Sequence, residues 1–195
     1  MRILLATCAA LLAPAAAAAA DIQLLIRDQS GAPVRDAVVS LAAPGRPAPV
    51  RPARTFQVEQ RDIKFNPFVL LVPVGADVVF PNRDKVRHHV YSFSKPKKFE
   101  LKLFGLDESR NVVFDKPGAV ALGCNIHDPM NGVVYVTASP FTALTDAAGR
   151  VRLNVAPGAG RISVWHPAIR AAANTLEQPA SIAATGLTTT LQLRR

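Results

Sequence analysis

The 195-residue chain carries 23 Lys and Arg against 14 Asp and Glu, a formal net charge of +9. Beyond Lys95-Pro96-Lys97-Lys98 no run of basic residues interleaved with aromatics occurs, so nucleic acid is not the indicated partner. The charge reads instead as a solvated face, or as a docking surface for an acidic protein or an anionic membrane.

Met1-Arg2 is followed by Ile3 to Ala20 without a charge, rich in Leu and Ala, and the first acid is Asp21. This is a secretory pattern with Ala18-Ala19-Ala20 as small residues for cleavage, so residues 1–20 are expected to be a signal peptide and the protein periplasmic. A retained membrane anchor is the alternative, but Pro14 and the alanines give it little apolar weight. Cleavage after Ala20 removes Cys8 and leaves Cys124 as the one thiol, which cannot form an internal disulfide. In an oxidising compartment such a thiol is buried and inert, paired between chains or bound to metal.

Short β-rich runs follow in chain order. They cover 22–27, 37–41, 68–72, 77–80, 89–93, 99–103, 112–114, 119–122 and 133–137, then 151–155, 161–165 and 187–193, most of them bounded by Gly, Pro, Asn or Asp. A helical period of apolar residues occurs only in the leader and over Ala168 to Leu176. The fold class is therefore all-β, a sandwich or barrel.

The first two runs are separated from the rest by Pro44-Gly45-Arg46-Pro47-Ala48-Pro49, which reads as a linker. Two strands cannot bury a core alone, so they need partners elsewhere. Asp28-Gln29-Ser30-Gly31 before 37–41, and Thr145-Asp146-Ala147-Ala148-Gly149 before 151–155 with Ala156-Pro157-Gly158 after it, are Asx-Gly turns at strand ends. Together they resemble the two halves of a carboxypeptidase regulatory-like, prealbumin-type sandwich. That resemblance implies a small domain split into 21–50 and 138–195, with a second domain, 51–137, inserted between its halves.

The inserted stretch holds Cys124-Asn125-Ile126-His127-Asp128-Pro129-Met130, which brings thiolate, imidazole and thioether onto one short loop between two strands. Thiolate and thioether are soft donors for Cu(I), imidazole suits both oxidation states, and two His with one Cys and a long axial Met form the electron-transfer copper set. The loop lacks a second histidine, which His88 or His89 at the start of a neighbouring strand can supply. A nucleophilic Cys124 with His127 as base lacks an orienting third group, so no enzymatic activity is expected. No second histidine cluster exists to build a multicopper oxidase site.

The stretch 55–137 resembles the cupredoxins, closest to their amicyanin and plastocyanin branches and to bacterial proteins described as methylamine-utilisation or plastocyanin-like. Asn82-Arg83-Asp84 ahead of His88, with Val90 two residues after it, is similar to the amicyanin run, and Pro117-Gly118 ahead of Cys124 to the plastocyanin strand. Phe65, Pro67, Val72, Gly75, Val78 and Phe80 look like the first two cupredoxin strands. The resemblance implies a Greek-key β-sandwich or barrel and selects His88 over His89. It also implies one type 1 copper ion on His88, Cys124, His127 and Met130, and single-electron transfer to an unidentified redox partner protein. The alternative is a copper carrier or sequestration protein with the same ligands. The chain departs from the family at two positions. His89 stands where many cupredoxins have an Asn that ties the ligand loops together; its ring would bond Asn125 or displace His88. Gly123 stands where plastocyanin has a Tyr beside the cysteine. The resemblance further implies that Ile126 and Pro129 form an apolar rim where the electron leaves through His127.

Overall fold

The computed structural model describes residues 19–42 and 55–194. The expected leader, apart from Ala19 and Ala20, lies outside the described residues, as do Cys8 and the expected linker at Pro44 to Pro49. In chain order the strands begin with β1 (Ala20–Asp28) and β2 (Val38–Ala42). Short segments follow: β3 (Phe56–Gln57), β4 (Glu59–Arg61) and β5 (Lys64–Asn66). Next are β6 (Val69–Pro73), β7 (Ala76–Pro81), β8 (His88–Ser92) and β9 (Phe99–Phe104). Then come β10 (Ser109–Phe114), β11 (Gly118–Gly123) and β12 (Asn131–Thr137). The chain continues through β13 (Thr142–Leu144), β14 (Arg150–Val155), β15 (Gly158–Trp165), β16 (Thr175–Ile182) and β17 (Leu187–Leu193).

Two-residue periodicity decides which way each strand faces. In β1, Ala20, Ile22, Leu24 and Ile26 are buried; in β14, Val151, Leu153 and Val155 are buried between exposed Arg150, Arg152 and Asn154. β1 pairs antiparallel with β14 and parallel with β17, while β2, β13, β15 and β16 form a second sheet. These two sheets enclose one apolar core that includes Leu41, Val39, Ile162, Val164, Ile182 and Leu193. Buried Thr145 ties the early and late segments together, its Oγ1 accepting from the Ala37 amide at 2.9 Å and donating to the Val34 carbonyl at 2.7 Å. Asp146 closes the turn before β14 by accepting from the amides of Ala148 and Arg150. Gly149 takes φ +74° there, with the Ile26 carbonyl in the space a Cβ would need.

The strands from 56 to 137 build a separate core. The sheet β10-β7-β3 faces the five-stranded sheet β6-β12-β11-β8-β9 across Val72, Val78, Phe80, Val90, Phe104, Phe114, Val120 and Val134. The small β4-β5 hairpin bridges to Asn82 through Gln60. Among the described residues these sheets stay open rather than closing into a barrel.

Strand β12 is buried on both faces. Val134 and Val136 enter the core just described, while Val133 and Tyr135 face the other way, toward Val38 of β2 and Trp165 of β15. The Tyr135 and Trp165 rings meet at 5.0 Å, and burial pushes the Tyr135 hydroxyl's pKa up. The two sandwiches thus share a small apolar junction made from the outer faces of one sheet of each.

The helical period expected over Ala168 to Leu176 does not form a helix. Only a single 3-10 turn, Ala172–Asn174, is present, and β16 starts at Thr175. Asn174 bonds back to the carbonyls of Pro167 and Ile169, closing a loop, and Ala173 and Asn174 both have positive φ. Eight β16 residues then pair with β15, and Pro179 is tolerated because this strand is the sheet's edge.

Candidate metal centre

Three side chains from two places in the sequence meet at one end of the 56–137 sandwich. One ligand-capable atom from each of His88, Cys124 and His127 lies within 4.8 Å of the other two. His88 opens β8 and is fully buried. β11 ends at Gly123 and β12 begins at Asn131, and these two residues pair directly. Cys124 and Met130 therefore flank the mouth of a seven-residue loop, both buried, while Asn125, Ile126, Asp128 and Pro129 face solvent. His127, at the loop's centre, is half-buried.

The loop is tight enough to aim its donors. The Met130 amide donates to the His127 carbonyl at 2.9 Å, and Asn131 Nδ2 to the Pro129 carbonyl at 3.0 Å. Cys124 Sγ and His127 Nδ1 are 3.8 Å apart, and the His88 and His127 rings sit edge to face at 5.0 Å. Donors sharing an ion at bond lengths of about 2.0–2.3 Å are separated by roughly 3.3–3.8 Å, so the Cys124–His127 spacing suits a common ion. Met130 belongs to the same buried cluster as Cys124, where the chain re-enters β12.

His88 is held by a network that sequence reading did not anticipate. Its Nε2 lies 2.8 Å from Asp84 Oδ2. Asp84 also accepts from the amides of Asp62 at 2.7 Å and Ile63 at 3.0 Å. Burial pushes the Asp84 carboxyl's pKa up, but the bonds from Ile63, His88 and Asp62 outweigh it and hold that pKa below its ordinary value. An ionised carboxylate only accepts, so Nε2 carries the proton and Nδ1 presents a lone pair. That Nδ1 is buried and has no hydrogen-bond partner. Buried imidazole nitrogens ordinarily find partners, and an orphan costs about 1–3 kcal/mol. A metal ion would satisfy it, and the thiolate and imidazole donors beside it suit copper. Asn82, fully buried, fixes the approach to β8 by donating to the carbonyls of Val86 and Phe104 and accepting from the Asp84 amide.

His89 does neither of the things expected of it. Its Nε2 meets Glu100 Oε1 at 2.8 Å and its ring lies against Tyr91, so it stands outside the donor group and does not reach Asn125. The register shift between β8 and β9 after His88 aims it so, bringing Glu100 of β9 diagonally across. His166 lies in the turn after β15, its Nδ1 accepting from the Ala168 amide at 3.2 Å. Sequence reading missed Asp84 as a partner of His88; the four-residue spacing was visible, but the turn that folds it back was not.

Solved structures similar to this chain include cupredoxins. The purple cupredoxin from Nitrosopumilus maritimus is 23% identical over 42% of this chain and 99% of that one, with a TM-score of 0.39. A reduced Cu(I) form of an amicyanin variant is 20% identical over 51% of this chain and 98% of that one, with a TM-score of 0.41. A copper-containing nitrite reductase from Thermus scotoductus SA-01 is 28% identical over 47% of this chain, the match spanning only 25% of the reductase, with a TM-score of 0.42. No protein-family model and no curated protein matches the chain.

Proposed function

We propose that this protein is a periplasmic single-electron carrier that holds one copper ion on His88, Cys124, His127 and Met130. The observation that carries the reading is the buried, partnerless Nδ1 of His88, fixed in its lone-pair tautomer by Asp84 and placed beside Cys124 and His127. Copper, when bound, supplies a Cu(I)/Cu(II) couple and needs a thiolate sulfur to be the soft, strongly bonding ligand.

The chain's part is to hold donors still. His88 is pinned through Asp84 to the β4-β5 turn, Cys124 sits at the end of a strand, and Met130 is packed in the core, so a change in ion charge meets a scaffold that resists rearrangement. Water is kept away from three of the four, since His88, Cys124 and Met130 are each at most 4% exposed. His127 is the half-buried member, and its neighbour Ile126 is 47% exposed, which makes this imidazole the natural contact for a partner.

Export through residues 1–20 belongs to the same reading, as does a division into a metal-holding domain, 51–137, inserted in a split sandwich formed by 21–50 and 138–195. Two separate buried cores support that division. Among the described residues no helix is long and apolar enough to cross a membrane.

Visible and electron paramagnetic resonance spectra with one equivalent of Cu(II) test the reading. An intense blue band is expected in the native protein and none in Cys124→Ala. Weak absorption, or the same spectrum in both, overturns it.

A further inference from the structure

The outer face of the five-stranded sheet is divided. On the β12 side, together with Ala119 of β11, it packs against Trp165 and Val38 at the junction between the sandwiches; on the β8 and β9 side it is open, with Phe93, Glu100 and Lys102 exposed. His89, Tyr91 and Phe93, two residues apart, project from that open half. Phe93 is 80% exposed, more than any other large apolar side chain described, and its ring lies tilted against Tyr91 with centroids 5.1 Å apart. Tyr91 in turn lies directly over Gly123, its strand-pair partner; a first side-chain carbon at 123 would fall 2.6 Å from Tyr91 Cζ. Gly123 is bonded to Cys124, so the ring that covers it touches the residue next to the candidate thiolate.

Around these rings the surface is basic. Lys95, Lys98 and Lys102 are exposed and make no ion pair among the described residues, and Lys97 pairs only with Asp115 at the patch's edge. Within the patch Glu100 is the one carboxylate, and it is engaged by His89.

We propose that this open half-face, with Phe93 and Tyr91 at its centre and Lys95, Lys98 and Lys102 around them, docks a partner protein that presents an apolar contact ringed by carboxylates. An apolar centre inside a ring of one charge is the anatomy of a steered, transient protein interface. Glu100 among the lysines argues against an anionic lipid surface as the occupant. The redox sense of the surface rests on the copper reading above; the docking itself does not.

The test is an NMR titration of the full chain, Cu(I)-loaded and again metal-free, with the paramagnetic trianion hexacyanochromate(III) standing in for the carboxylate ring. Broadening is expected in both forms at the Phe93 and Tyr91 rings and the amides of 95–102. It should need about tenfold more probe in the Lys95→Glu/Lys98→Glu/Lys102→Glu variant, whose substitutions are all exposed. Oxidation of the loaded protein by hexacyanoferrate(III) should slow about tenfold in that variant, with the visible spectrum unchanged. Broadening confined to His127 and Ile126, an unaffected triple variant, or sedimentation with phosphatidylglycerol vesicles through these lysines overturns the proposal. Failure to bind copper would remove the redox reading and leave the metal-free map to decide the docking.

Discussion

The two sandwiches of this molecule obey one packing rule and break it in different degrees. Around β1, β2 and β14 to β17 the interior is aliphatic, and the one buried polar side chain there among the described residues, Thr145, is bonded both as donor and as acceptor. Between β3 and β12 the buried side chains include the polar Gln60, Asn82, His88, His89 and Ser92 besides Cys124 and Met130, His89 being covered on the outer face by Tyr91 and Glu100. Among the described residues the three buried side-chain atoms without a hydrogen-bond partner, on Gln60, His88 and His89, lie in this second region. Identical strand chemistry thus yields a scaffold in one place and a site in the other. The difference shows where polar groups are buried against their preference and left incompletely bonded.

The comparison can be broken at the cores first. Phe114→Ala should lower stability by about 3–5 kcal/mol and Ile26→Ala by about 2–5 kcal/mol, measured by urea unfolding. Only the first is expected to disturb the copper spectrum of the folded protein. Loss of that spectrum in Ile26→Ala at concentrations where the chain is folded would show that the two regions are not separable.

Asp84→Asn sharpens the contrast from the site's side. It removes the acceptor that fixes the His88 tautomer, and copper affinity should fall about 10–100-fold in a chelator competition. An unchanged affinity would mean that the Asp84 contact does not orient the ligand.

Thr145→Val probes the satisfied polar group in the other sandwich. The Ala37 amide and Val34 carbonyl lose their partner, for a loss of about 1–3 kcal/mol in unfolding free energy and no change in metal binding. Met130→Leu is the smallest effect on the fold, under about 1.5 kcal/mol for the metal-free chain because volume is conserved, with a clear change in the copper spectrum. A spectrum identical to the native one would take Met130 out of the ligand set.

Much of this was written locally. Alternation in β1, β7 and β14 announces which residues point inward, and the seven residues from Cys124 to Met130 carry three donor types at a spacing that is readable without a structure. What was not legible depended on chain segments meeting. Choosing between His88 and His89 needed a family resemblance, because adjacent strand residues differ only in the face they take. Glu100 as the partner of His89 depends on a register shift in β9. Tyr91 over Gly123 depends on the pairing of β8 with β11. Strand β16 escaped notice because Pro179 and weak alternation disguise an edge strand, and the alanines before it imitate a helix.

X-ray absorption at the copper edge of the loaded protein puts the central claim to the most direct test. One short sulfur bond and two imidazole nitrogens are predicted, the sulfur disappearing in Cys124→Ala and one nitrogen in His88→Ala. A first shell of nitrogen and oxygen alone, indifferent to both substitutions, would contradict it.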